Sequence, residues 1–125
     1  MTKDELLEKF GQILMSEVRD KAIEKYEMIA TGALKSIPAM ELNKKLSSFS
    51  DEQLSIVRQV VASSIDDVIY NFLWMLEQHE DDIDLTCSED EDSTKENVRN
   101  ISDGLSGELY TEDGWIEKFS NYKAR

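Results

Sequence analysis

One histidine, one cysteine, one proline and five glycines in 125 residues remove several chemistries at the outset. With Cys87 alone, the chain can form neither an intramolecular disulfide nor a thiolate metal cluster. With His79 alone, it cannot build a two-histidine zinc site. Glycine is too sparse and too scattered for a phosphate-cradling loop, a nucleophile elbow or a dinucleotide fingerprint. Long apolar runs are missing as well. The best candidate, residues 68–76, is broken by Asn71 and falls short of the ~18 residues that would predict a membrane span. The first residues, Met1-Thr2-Lys3-Asp4-Glu5, lead straight into an amphipathic pattern without the apolar core of a secretory signal, so a cytoplasmic setting is expected. Positive charge is the last shortage: 14 Lys and Arg stand against 27 Asp and Glu, for a net charge of -13. Such a field repels phosphate backbones and disfavours nucleic acid, and it attracts basic protein surfaces.

The length and the 40% hydrophobic content predict a single domain over residues 1–125. Thr2 and Glu5 form a capping box, from which a first helix runs to Thr31-Gly32. Its apolar stripe takes in Leu6, Leu7, Phe10, Ile13, Leu14, Val18, Ala22, Ile23, Tyr26 and Ile29, and Glu5–Lys9 and Glu17–Lys21 are paired on the other face. Gly11 inside this pattern marks a point of close packing or a small bend. A connector over 33–49 contains Pro38 and a short helix at 39–46. Ser50 and Gln53 then repeat the capping box and open a second long helix.

In that helix Val57, Val61, Ile65, Val68, Phe72, Met75 and Leu76 make a continuous stripe, which Val60, Ile69, Leu73 and Trp74 widen. It reads as the central helix, with Phe72 in the core. The stripe ends at His79. Residues 77–96 then carry ten acids against Lys95 alone, -9 of the total -13. Within this segment Ile83, Leu85 and Cys87 alternate as a short strand would, with 97–101 as its partner strand and residues 88–95 as the acidic hairpin loop. The competing pattern is a helix capped by Ser93 and Glu96. Asp113-Gly114 then leads into Trp115, Ile116, Phe119 and Tyr122, spaced for a short helix that docks its aromatics on the core.

The candidate sites are few. EF-hand registers starting at Asp82 or Asp90 fail at the glycine and at the final glutamate, where Cys87 and Ser93, or Lys95 and Ile101, stand instead. His79 beside Glu80, Asp81 and Asp82 suits a helix cap, the other readings being a hard-metal site or a general base next to carboxylates. Cys87 fits a small buried hydrophobe better than a nucleophile. Asp66 and Asp67, with Asn71 and Tyr70, suggest either a paired-carboxylate site or polar contacts to the C-terminal part.

The expected fold is therefore mainly α: two long antiparallel amphipathic helices, and a C-terminal part with a short β-hairpin and a short aromatic helix, the alternative being all-α. No catalytic, cofactor or metal residue is assigned. Function is expected to be the binding or regulation of a basic protein partner through Glu80, Asp81, Asp82, Glu89, Asp90, Glu91 and Asp92, without nucleic acid or membrane. In size and acidity the chain resembles bacterial immunity proteins that block nuclease toxins. A small enzyme or metal-dependent module using Asp66, Asp67 and His79, and a structural subunit of an assembly, are the other two readings. The excess apolar surface of two long helices in so short a chain also points to a homodimer.

Overall fold

The computed structural model of the chain describes residues 1–123. Its first helical rod comprises α1 (Lys3–Leu14), a π-helical turn at Met15–Arg19 and α2 (Asp20–Thr31). The Thr2–Glu5 capping box starts it, and Gly32, at φ 79°, closes it in the left-handed conformation that glycine adopts without strain. The connector helix α3 (Ile37–Leu46) carries Pro38 in its first turn. Ser50 and Gln53 cap α4 (Asp51–Gln78), which ends at His79. The strands β1 (Thr86–Cys87) and β2 (Glu96–Asn97) pair antiparallel, a 3₁₀ turn follows at Ser106–Leu109, and α5 (Trp115–Phe119) comes last.

The π turn has a packing cause. Leu7, Gly11, Met15, Arg19 and Ile23 are all buried and recur at steps of four. On an ideal helix each such step overshoots one turn by about 40°, so the face would rotate away from the core. The wider turn at Met15–Arg19 takes up part of that drift and keeps Met15 and Arg19, both fully shielded, pointing inward. Consequently Ile13 and Val18, which the periodicity assigns to the stripe, are 44% and 49% exposed.

The core gathers Leu7, Met15, Ile69, Leu73, Leu76, Val98, Leu105, Leu109, Trp115 and Ile116. Half of these residues come from beyond residue 97, so the C-terminal part is a working layer of the domain. Trp115 sits edge-on to Phe10, with ring centres 5.7 Å apart, and its indole occupies the place where a side chain at Gly11 would be. Gly11 is therefore a close-packing point. Tyr26 donates to the Leu54 carbonyl at 3.1 Å and ties α2 to the start of α4, while Asn43 donates to the Ile29 carbonyl at 2.9 Å and holds α3 against the end of α2.

Helix α4 is rotated relative to its sequence pattern. Its buried face is Ala62, Asp66, Ile69, Leu73 and Leu76. Phe72, Trp74, Val60 and Val68 are exposed, so Phe72 is not at the centre of the core. The helix carries more apolar residues than one packed face can use, and the charged pair Asp66–Arg19 decides which face turns inward.

The hairpin forms with residues 88–95 as its loop, but its second strand is Glu96–Asn97 and not 97–101, since 98–101 are turn. The alternative helix there is absent because Val98 must descend into the core directly after β2, where it is fully buried. The first helix also differs in its surface pairs: Glu5 is used in the cap, and Lys9 reaches across to the hairpin loop. No helix among the described residues is long and apolar enough to cross a membrane.

Candidate functional site

All seven carboxylates predicted to face a partner are exposed. They fall into two groups. Glu80, Asp81 and Asp82 form the turn that follows α4, and Glu89, Asp90, Glu91 and Asp92 occupy the tip of the hairpin.

The first group is anchored by Arg99, a residue the sequence pattern does not single out. Its guanidinium donates to the carbonyls of Leu76, Ile83 and Glu80 and to Asp84 Oδ1, the last at 2.7 Å. It thus satisfies a carbonyl left open at the C-terminus of α4 and pins the acidic turn to the helix. His79 Nδ1 lies 3.2 Å from Asp82 Oδ1 and serves as the helix cap. The second group is held by Lys9, whose ammonium donates to the carbonyls of Ser88 and Glu89 at 3.1 and 3.0 Å. Asp90 turns inward on its own loop: it accepts from the Ser93 hydroxyl at 2.8 Å and from the Asp92 amide at 3.0 Å. These hydrogen bonds, the Ser93 hydroxyl first, hold its carboxyl below the usual carboxylate range. The loop is therefore a shaped surface that presents Glu91 and Asp92 outward.

A second acidic surface lies on the other side of α1. A groove of about 420 Å³ between α1 and the segment 101–118 is lined by Asp4, Glu8, Asp103, Glu108 and Asp113, with Lys118 as the cation among them. Lys118 donates to Glu8 at 2.6 Å, which raises its pKa. Burial pushes the Glu108 carboxyl above its ordinary range; Lys118 opposes this, and Asp103, Asp4 and Glu8 add to it. Thr111, at φ 81°, also lines the groove in a conformation that β-branched residues rarely adopt. Sequence inspection missed this groove because its acids come from three separated segments and form no run. The only local signal was the pair Asp4 and Glu8, one turn apart on α1 without a basic neighbour on the same face.

The other candidates resolve differently. Asp66 and Asp67 do not form a pair: Asp67 is exposed, and Asp66 is fully buried against Arg19, with Arg19 Nε to Asp66 Oδ1 at 2.6 Å. Arg19 also donates to the Ser120 hydroxyl and the Tyr122 carbonyl, both at 2.8 Å, and Ser120 in turn donates to Asp20 at 2.6 Å. This network joins the π turn, α4 and the C-terminal segment, and its Arg19, Asp20, Asp66 and Ser120 side chains are all buried. Cys87 is half-buried, and burial raises its thiol pKa, which leaves little thiolate for nucleophilic attack. Among the described residues no group of three or more His, Cys, Asp or Glu side chains is placed to hold a metal ion. No protein-family model, curated protein or solved structure matches the chain.

Proposed function

We propose that this chain is a binding protein that engages a basic protein partner through its acidic end, acting as an inhibitor or immunity-like regulator. The observation that carries this is the polarity of the charge. Residues 77–118, from the last turn of α4 onward, hold fifteen acids and three bases, while residues 20–60 hold six of each, so nearly all of the -13 lies toward one end. There the hairpin tip and the groove flank the N-terminal half of α1 on its two sides, through Lys9 and through Lys118–Glu8. A net magnitude of ~2 to 8 ordinarily suffices to keep a small domain soluble, so the excess calls for another use. A concentrated acidic end steers a basic partner and sets its orientation on encounter.

The test is affinity capture from the native host at low salt, read by mass spectrometry, with the wild type beside the triple variant Asp90→Ser, Glu91→Ser, Asp92→Ser. A basic protein retained by the wild type and depleted several-fold on the variant supports the proposal. Capture of neutral or acidic proteins only, or equal capture by both, refutes it.

A further inference from the structure

Three of the five exposed large apolar residues of α4, Val60, Val68 and Phe72, share one side of the helix, while Ile56 and Trp74 lie outside it beyond Asp67. At about 100° per residue, a sector of about 140° runs along the whole helix from Val60 through Ser64 and Val68 to Phe72 and Ile65, and it contains no charged side chain. This is notable in a protein of which 33% is charged. Val60 is 60% exposed, Val68 68% and Phe72 42%, and Val18, at 49%, adjoins them from the first rod. Between the rods lies a groove of about 260 Å³, lined by Val18 and Ala22 on one side and Ser64, Ile65, Val68 and Ile69 on the other. Among the described residues nothing covers it.

We infer that this face is the interface of a symmetric homodimer in which the α4 helices of two copies pack antiparallel, crossing near Ser64. Three features select a second copy as the occupant. The first is charge. A basic partner would seek the acidic end, whereas this strip is neutral and so can meet its own like without repulsion across the contact. The second is the polarity of the molecule. The C-terminus of α4 lies at the acidic end, and its N-terminus lies among residues 20–60, whose six acids and six bases balance. An antiparallel pairing sets each acidic end beside the neutral end of its mate, whereas a parallel pairing would set the two acidic ends together and make them repel. The third is area. The exposed parts of these residues amount to something on the order of 500 Å² per copy, at the upper end of what a monomer leaves bare and most of the ~800 Å² per partner that a specific interface buries. Ser64, small and at the centre, lets the helices approach closely, and the groove beside it receives the side chains of the mate.

Sedimentation equilibrium over a concentration series tests the dimer. A reversible dimer is expected, and Val68→Glu should raise its dissociation constant about 100-fold or more, because two carboxylates would be stranded in an apolar contact. Far-UV circular dichroism checks that the variant is folded, and Val60→Glu is read in its place if it is not. A wild type that stays monomeric at several hundred micromolar overturns the inference, as does a dimer that survives both folded variants. The pairing direction is read by oxidative cross-linking in a Cys87→Ser background. Val57→Cys mixed with Asn71→Cys should cross-link, since the two positions are equidistant from Ser64, and each alone should not. Self-cross-linking of Val57→Cys would instead establish the parallel arrangement.

Discussion

Leu73 and Phe72 are neighbours in the chain, yet they differ in everything that sets the cost of truncation. Leu73 is fully shielded at the junction of α4 with the C-terminal layer, among residues that include Leu76, Val98 and Trp115. Replacing it by alanine removes buried carbon worth about 0.8 kcal/mol per methylene-sized group and leaves a hole that the close-packed surroundings fill only in part. The combined loss should be about 3–4 kcal/mol, a large share of the ~5–15 kcal/mol that a domain has in total. Phe72 is 42% exposed and borders open solvent. Truncating its ring leaves a notch that water occupies, with no sealed cavity, and the cost should be about 1 kcal/mol. Urea unfolding followed by circular dichroism separates the two. At a protein concentration of about 1 μM, association through the α4 face contributes little to apparent stability. With a typical m of ~1.5–2 kcal/mol/M, Leu73→Ala should lower the midpoint by about 2 M and Phe72→Ala by about 0.5 M. Equal shifts, or a larger one for Phe72, would show that α4 is turned the other way and would remove the exposed face on which the dimer depends.

Two further outcomes follow from the polar groups. Asp66→Ala strands the fully buried Arg19 guanidinium beside α4 and should cost about 3–5 kcal/mol in thermal or urea unfolding, whereas Asp66→Asn, which keeps a hydrogen-bond acceptor, should cost less; an Asp66→Ala protein as stable as the wild type would mean that the network adds nothing. Glu108→Gln should raise the melting temperature near neutral pH. The carboxyl titrates above its unfolded value, so the folded state holds the proton more tightly, and the ionised form is the disfavoured one once the pH rises through the folded pKa. The advantage of Gln should narrow as the pH falls through that range, and a gain independent of pH would exclude the titration as its cause.

Much of this protein is legible in the chain because it depends on nearest neighbours. The boundaries of the long helices follow from capping groups within three residues of one another, Thr2 with Glu5 and Ser50 with Gln53, and from a glycine that can close α2 at positive φ. The hairpin loop at 88–95 follows from a two-residue alternation and a run of like charge, and the charge imbalance is a matter of composition. The rest depends on contacts between residues far apart in sequence. Which face of α4 turns inward could not be read from its apolar pattern, because almost every face qualifies. The choice is made by Asp66, whose charge is tolerable inside only where Arg19, 47 positions earlier, is brought against it. The π turn that aims Arg19, the fit of Trp115 over Gly11, the clamp of Arg99 on the acidic turn and the groove of five carboxylates are likewise products of the packed state. Periodicity encodes that a helix has an apolar side. Only the arrangement that pairs the buried charges and fills the space around them selects which side that is.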